Sequence, residues 1–177
     1  MREIIVLTGP KHCGKSAVSR ALSDILPADC RDVDEEIEKR TGKSPRALYT
    51  EGPDAFRTAE AAALAALLRE EGSFPIVIAA GGGLVDNPAA LSALKDRPDV
   101  RIVYLETSPA AAWERIERAA RDGGGLPPFL HSPDPEATHR ALHTRRAAAY
   151  KALARHTIQC EQKSPHDIAL EIQRLLV

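Results

Sequence analysis

The residues Gly9-Pro10-Lys11-His12-Cys13-Gly14-Lys15-Ser16 fit the spacing GxxxxGK[ST]. They follow a compact β-branched run, Ile4–Leu7, and precede a helical pattern that starts at Lys15. Strand, loop and helix in that order are the setting in which this spacing has a physical use. The glycines let successive backbone N–H groups turn inward around an anion, and the start of the helix adds partial positive charge. Residues Gly9 to Gly14 and Ala17 are then the candidates to wrap the phosphates of a nucleotide. Lys15 is placed to reach the β- and γ-phosphates, and Ser16 to offer its hydroxyl to Mg²⁺. Lys11 brings a second cation close to the nest, towards phosphate or towards solvent.

Four further groups have types and spacings that fit chemistry on a phosphate. Asp32-Val33-Asp34 falls where a second strand ends. Ligands gather at the carboxyl ends of parallel strands, so Asp32 is a candidate to hold Mg²⁺ through water and Asp34 to accept a hydroxyl proton. The plainer alternative is that both are capping or surface acids beside Glu35 and Glu36. Arg57, in Phe56-Arg57-Thr58-Ala59-Glu60, suits a bidentate carboxylate clamp, with Glu60 three residues on to hold it. An ordinary surface ion pair, worth under about 1 kcal/mol, is the alternative. Gly81-Gly82-Gly83 allows a ligand close to the backbone. Arg145, Arg146 and Tyr150 share a late helix, where a guanidinium faces either an anion or water.

These groups need elements to carry them. Short apolar runs at Ile4–Leu7, Cys30–Val33, Pro75–Ala80, Val100–Leu105 and Thr157–Cys160 read as strands. Unbroken apolar runs suit strands covered on both faces, as in a parallel sheet. Helical patterns fill the gaps: Lys15 to Leu26, Asp34 to Arg40 closed by Gly42, one opened by Ser44-Pro45, and Asp54 to Glu70. Others start at Asn87-Pro88 and Ser108-Pro109, span Glu136 to Arg155, and start at Ser164-Pro165. Strand–helix alternation over 177 residues predicts one three-layer α/β domain, residues 1–177. Asp122–Pro135 breaks the pattern with three glycines and four prolines, which exclude a regular helix or a central strand. It reads as a surface loop or as a mobile lid over a site.

Composition bounds the partners. Net charge is −1, from 24 basic and 25 acidic residues, so a general electrostatic grip on nucleic acid or an anionic membrane is not expected. Cys13, Cys30 and Cys160 are odd in number and far apart, as in a reduced cytoplasmic protein. The apolar run in MREIIVLTG is shorter than a signal peptide or a membrane span requires. Cys13 inside the loop admits a redox switch. His139 and His143 have a zinc-compatible i, i+4 spacing but read as an exposed helix face, and Trp113 reads as a packing residue.

Taken in order, the phosphate loop, DVD, FRxxE, GGG and RxxxY resemble the shikimate kinase family over nearly the whole chain. The resemblance implies the nucleoside-monophosphate-kinase type of P-loop fold, a five-stranded parallel sheet in the order 2-3-1-4-5 with a lid at about 122–135. It implies transfer of the ATP γ-phosphate to the 3-hydroxyl of shikimate by a cytoplasmic protein, commonly a monomer. By resemblance, Lys15 and Ser16 are the loop lysine and magnesium ligand, and Asp32 supports the metal. Asp34 is the candidate base, Arg57 and Arg146 bind the shikimate carboxylate, Gly81, Gly82 and Gly83 lie beside the substrate, and Arg115 stacks on adenine. The family lid carries an Arg-Pro-Leu-Leu stretch whose arginine reaches the transferring phosphate. Here that stretch is Leu126-Pro127-Pro128-Phe129-Leu130, without arginine. Three readings stay open: Arg118, Arg121 or Arg140 swings in, Lys11 compensates, or transfer is weak or repurposed. The rival functions are a kinase of another hydroxy-acid, such as gluconate, and a nucleotide-binding regulatory protein.

Overall fold

In the computed structural model, which describes residues 2–176, five parallel strands form one sheet in the order β2-β3-β1-β4-β5. They are β1 (Ile4–Thr8), β2 (Asp29–Asp32), β3 (Ile76–Ala79), β4 (Val100–Glu106) and β5 (His156–Gln159). The expected order is the observed one. The central strand β1 is buried along its whole length. Side chains alternate across a strand, so Ile4 and Val6 enter one core and Ile5 and Leu7 the other. Burial on both faces is why the run has no polar alternation, and each such side chain contributes about 1.5–3 kcal/mol.

The helices are α1 (Lys15–Ile25), α2 (Val33–Thr41), α3 (Pro45–Glu51), α4 (Pro53–Leu67), α5 (Pro88–Leu94), α6 (Pro109–Ala119), α7 (Pro135–Leu153) and α8 (Pro165–Leu176). Val18 and Leu22 of α1 join Ile168, Ala169 and Ile172 of α8 on one face of the sheet. Ile37, Leu64, Leu67, Ala90 and Leu94 of α2, α4 and α5 cover the other. Ser44, Asn87, Ser108 and Asp134 each cap a helix through the side chain, with proline in the first turn. That pairing satisfies a free N–H and pre-sets the backbone angle, which made the starts after Ser44, Asn87 and Ser108 legible.

Boundaries differ where a cap competes with the apolar pattern. Asp32 caps α2 by accepting from the Asp34 N–H at 2.9 Å, so Val33 opens the helix instead of closing β2. Pro135 begins α7 and does not belong to the loop. The expected helix over 54–70 stops at Leu67, and the last strand begins one residue early, at His156.

The Gly/Pro-rich segment has its own order. After α6 comes a wide turn over Ala120–Gly124, broken at Gly123 with φ 99°, and then a 3-10 turn over Pro128–Leu130. Leu130 is fully buried and anchors the segment. Arg46 of α3 donates to the carbonyls of Gly124 (2.5 Å) and Leu126 (3.2 Å). Arg46→Ala removes both bonds. Amide exchange over residues 122–130 is expected to rise about fivefold, with the melting temperature nearly unchanged. Hydrogen-exchange mass spectrometry checks this, and unchanged exchange there would show that other contacts fix the segment.

The helix face expected to be exposed is not. His139 and His143 are 4% and 6% exposed, His139 lying 5.6 Å from the Trp113 ring and the His143 Nε2 3.0 Å from the Thr107 carbonyl. The i, i+4 spacing points the rings at Trp113 of α6 and at Thr107 just after β4, which is packing, as read for Trp113. Among the described residues no three His, Cys, Asp or Glu side chains group to hold a metal. Burial, with the neighbouring His143 adding to it, pushes His139 down to about 4 from its ordinary 6.5. Its stabilising contribution is therefore complete above about pH 6.5 and lost as pH falls towards 4, because the unfolded chain takes up the proton first. His139→Leu should flatten urea-derived stability against pH over that window, and an unchanged slope would place the acid sensitivity elsewhere.

Candidate active site

The loop between β1 and α1 has the conformation that an anion nest requires. Gly9 has φ 147°, and a Cβ there would lie 2.6 Å from the Leu105 carbonyl oxygen. No larger residue fits without moving β4. Gly14 (φ 100°) caps α1. Between them His12 takes a left-handed φ of 60°, a conformation that costs a side-chain-bearing residue about 1 kcal/mol or more. The Lys15 ammonium donates to the carbonyls of Gly9 (2.9 Å) and Pro10 (2.8 Å), which holds it across the loop.

Beside the loop, the Ser16 hydroxyl donates to Asp32 Oδ2 at 2.8 Å. One hydroxyl and one carboxylate oxygen side by side are hard donors suited to Mg²⁺, which takes few protein ligands and completes its shell with phosphate and water. Asp34 sits in the first turn of α2 and lines the same cavity, of about 640 Å³. Burial pushes its carboxyl above the ordinary carboxylate value and Asp32 adds to the rise, while Lys11 and Lys15 oppose it.

The acceptor end is built on the backbone after β3. A Cβ on Gly82 would lie 3.2 Å from the Lys11 backbone nitrogen, and one on Gly81 only 2.8 Å from Glu60 Oε1. The glycines thus let the phosphate loop and Glu60 close on this strip. Glu60 is 1% exposed; its Oε2 accepts from Asn87 Nδ2 at 2.9 Å, and its Oε1 has no partner. Burial pushes the Glu60 carboxyl up. The Asn87 hydrogen bond lowers it, Asp34 raises it, and the guanidiniums of Arg146 and Arg57 lower it. Arg146 lines the cavity and donates through Nε to Asp86 at 2.7 Å, and Arg145 holds the same carboxylate with two bonds of 2.7 and 2.9 Å. Tyr150 donates to the Gly82 carbonyl and stacks on Tyr104 with ring centres 5.0 Å apart.

Lys11, His12, Gly14, Lys15, Ser16, Ala17, Asp32, Asp34, Gly81, Gly82, Gly83 and Arg146 all border this one cavity. Gly9 and Pro10 contribute carbonyls from behind the loop. Arg115 is held against the loop, with Nη1 3.2 Å from the His12 carbonyl. In this structure three residues named from the sequence stand apart from the contacts considered for them. Arg57 turns away from the cavity to Asp54 (2.9 Å), and its side chain is 48% exposed. Glu60 does not hold Arg57, because buried Asn87 offers it a shorter reach within the core. Cys13 is 2% exposed beneath the loop, too shielded for a redox switch. Arg118, Arg121 and Arg140 do not line the cavity, and Arg140 pairs with Glu136 at 3.1 Å.

Sequence reasoning missed Arg46, Tyr49, Asp86 and Asn87, and gave Phe56 no role. Arg46, Tyr49 and Phe56 form a wall of the cavity, with the two rings edge to face at 6.0 Å. The available signal was two aromatics seven apart in a chain that is only 4% aromatic. Asn87 was visible only as a helix cap, a role it also fills by accepting from the Ala90 N–H at 3.3 Å.

A family model described as shikimate kinase matches residues 11–177. A shikimate kinase of Thioalkalivibrio sulfidiphilus is 37% identical over 96% of this chain and 85% of its own length. One from Pseudomonas entomophila is 36% identical over 95% and 92%. Among solved structures, a shikimate kinase from Acinetobacter baumannii in complex with shikimate superposes with a TM-score of 0.85 at 32% identity, covering 99% of this chain and 93% of that one. A gluconokinase from Sinorhizobium meliloti, at 17% identity and TM-score 0.60, shares the fold alone. With the family model matched along most of its length and relatives above 30% identity along nearly all of it, the chain belongs to the shikimate kinase family.

Proposed function

We propose that this enzyme transfers the γ-phosphoryl group of ATP to the 3-hydroxyl of shikimate, giving ADP and shikimate 3-phosphate, with Asp34 as base and Arg146 as carboxylate anchor. The observation that supports these roles best is Asp34 itself. It is a half-buried carboxyl, raised chiefly by desolvation, that shares one cavity with the phosphate loop and Arg146. The alternatives, a gluconate-type kinase and a regulatory protein with weak transfer, have no comparable support.

The loop N–H groups and Lys15 orient the triphosphate. Ser16 and Asp32 hold Mg²⁺, which when bound neutralises phosphate charge. The Arg146 guanidinium, kept in place by Asp86, faces the shikimate carboxylate. Arg57 joins it by turning from Asp54, an exposed ion pair that is weak to break. Asp34 aligns the attacking hydroxyl and takes its proton. Tyr49 and Phe56 give the ring of the acceptor an apolar wall, and Pro127, Pro128 and Phe129 roof the cavity against water.

A coupled assay of ADP release with shikimate and with gluconate tests the assignment, and release with gluconate alone would overturn it. Lys15→Ala should lower kcat by at least about 1000-fold, since the loop cation acts on charge that develops in transfer. Arg146→Lys should raise the KM for shikimate about tenfold or more while leaving the KM for ATP within twofold, because a point charge loses the bidentate fit. The active form of Asp34 is ionised and its pKa is raised, so kcat/KM should rise with pH through a limb above the ordinary carboxylate range. Asp34→Asn should remove both that limb and nearly all turnover.

A further inference from the structure

Phosphoryl transfer spreads negative charge over the equatorial oxygens of the moving group, and a positive side chain aimed there lowers the barrier. The roof of this cavity cannot supply one. Residues 122–135 contain no lysine or arginine. The lysines and arginines that line the cavity are Lys11, Lys15, Arg46 and Arg146. Arg146 is paired with Asp86, Arg46 is bound to the carbonyls of Gly124 and Leu126, and Lys15 lies across the loop on Gly9 and Pro10. Lys11 alone of the four makes no side-chain hydrogen bond or ion pair among the described residues.

Its location is specific. Lys11 borders the main cavity and also a small adjoining pocket shared with Phe129, Arg146 and Tyr150. Its backbone nitrogen packs on Gly82 of the acceptor strip. A lysine is a compact charge on a flexible stem with three donors, suited to follow a moving group.

We propose that Lys11 is a catalytic residue that donates to the transferring phosphoryl group from the floor of the cavity, supplying the charge that the roof lacks. The inference rests on the kinase reading above. In the step, the acceptor oxygen bonds to the γ-phosphorus and its proton passes to Asp34. The bond from that phosphorus to the bridging oxygen breaks, and its electron pair stays on ADP. Lys11 makes and breaks no covalent bond.

The test compares wild type, Lys11→Met and Lys11→Arg. Calorimetry with Mg²⁺ measures the affinity for ADP and for the non-hydrolysable triphosphate AMP-PNP, and ADP release with shikimate gives kcat. Lys11 is exposed, so all three proteins should melt alike. Lys11→Met should lose about tenfold in affinity for AMP-PNP and under twofold for ADP. Its kcat should fall about 100-fold, with the KM for shikimate within threefold. Lys11→Arg should recover most of both losses. The proposal falls if the preference for AMP-PNP over ADP is the same in Lys11→Met and wild type, whatever happens to kcat. Should wild type release no ADP with shikimate, the acceptor assignment fails separately, and the calorimetry still decides the role of Lys11.

Discussion

The site depends on how closely two loops approach at the carboxyl ends of adjacent strands. Leu7 of β1 is in register with Ala79 of β3, so the phosphate loop and the glycine strip leave the sheet side by side. A Cβ on Gly82 would already crowd the backbone of Lys11 and Gly9. That contact sets the distance between donor and acceptor before any ligand is considered. Tyr150 reinforces it from α7 by donating to the Gly82 carbonyl. The strand order 2-3-1-4-5 follows a common rule, in which ligands bind where the direction of strand succession reverses, here beside β1 and β3.

Within that frame the charges are arranged in opposition. Half-buried Asp34 and buried Glu60 are two carboxyls that both bind a proton more readily than usual, chiefly through desolvation, and Asp34 adds to the rise at Glu60. Arg146 and Arg57 offset Glu60, and Lys11 and Lys15 offset Asp34. Asp86 is held by two guanidiniums, Arg145 and Arg146, and its carboxyl stays below the usual range for that reason. The acids fix the cations in direction as well as in charge. Arg146 is less free than a solvated arginine, so less ordering remains to be done when an anion binds.

Much of this was legible in the sequence because local physics dictates it. The phosphate loop must follow a strand and open a helix, and cap-proline pairs start helices whatever packs around them. Arg46 was illegible for the opposite reason. Its function comes from carbonyls 78 and 80 residues away, on a segment whose path no periodicity announces. The partner of Glu60 was misread because an i, i+3 spacing on one helix competes with buried Asn87 from a different element. His139 and His143 show the same limit. An arginine-rich helix looks solvated in sequence, yet its histidine stripe faces Trp113 and Thr107.

The roof and the floor divide the work of the cavity between shape and charge. Pro127, Pro128 and Phe129 line the cavity with apolar, conformationally restricted side chains, which cover it without a long side chain whose ordering would cost entropy. Arg46 ties that roof to α3, the same helix that carries Tyr49 in the cavity wall. The proposed source of positive charge is instead the loop between β1 and α1, which carries Lys11 and Lys15 at the cavity edge beside the central strand. A cation on the roof would arrive only when the roof is down. One on the loop would be in place as soon as a triphosphate binds, with no movement of the roof needed to bring it there.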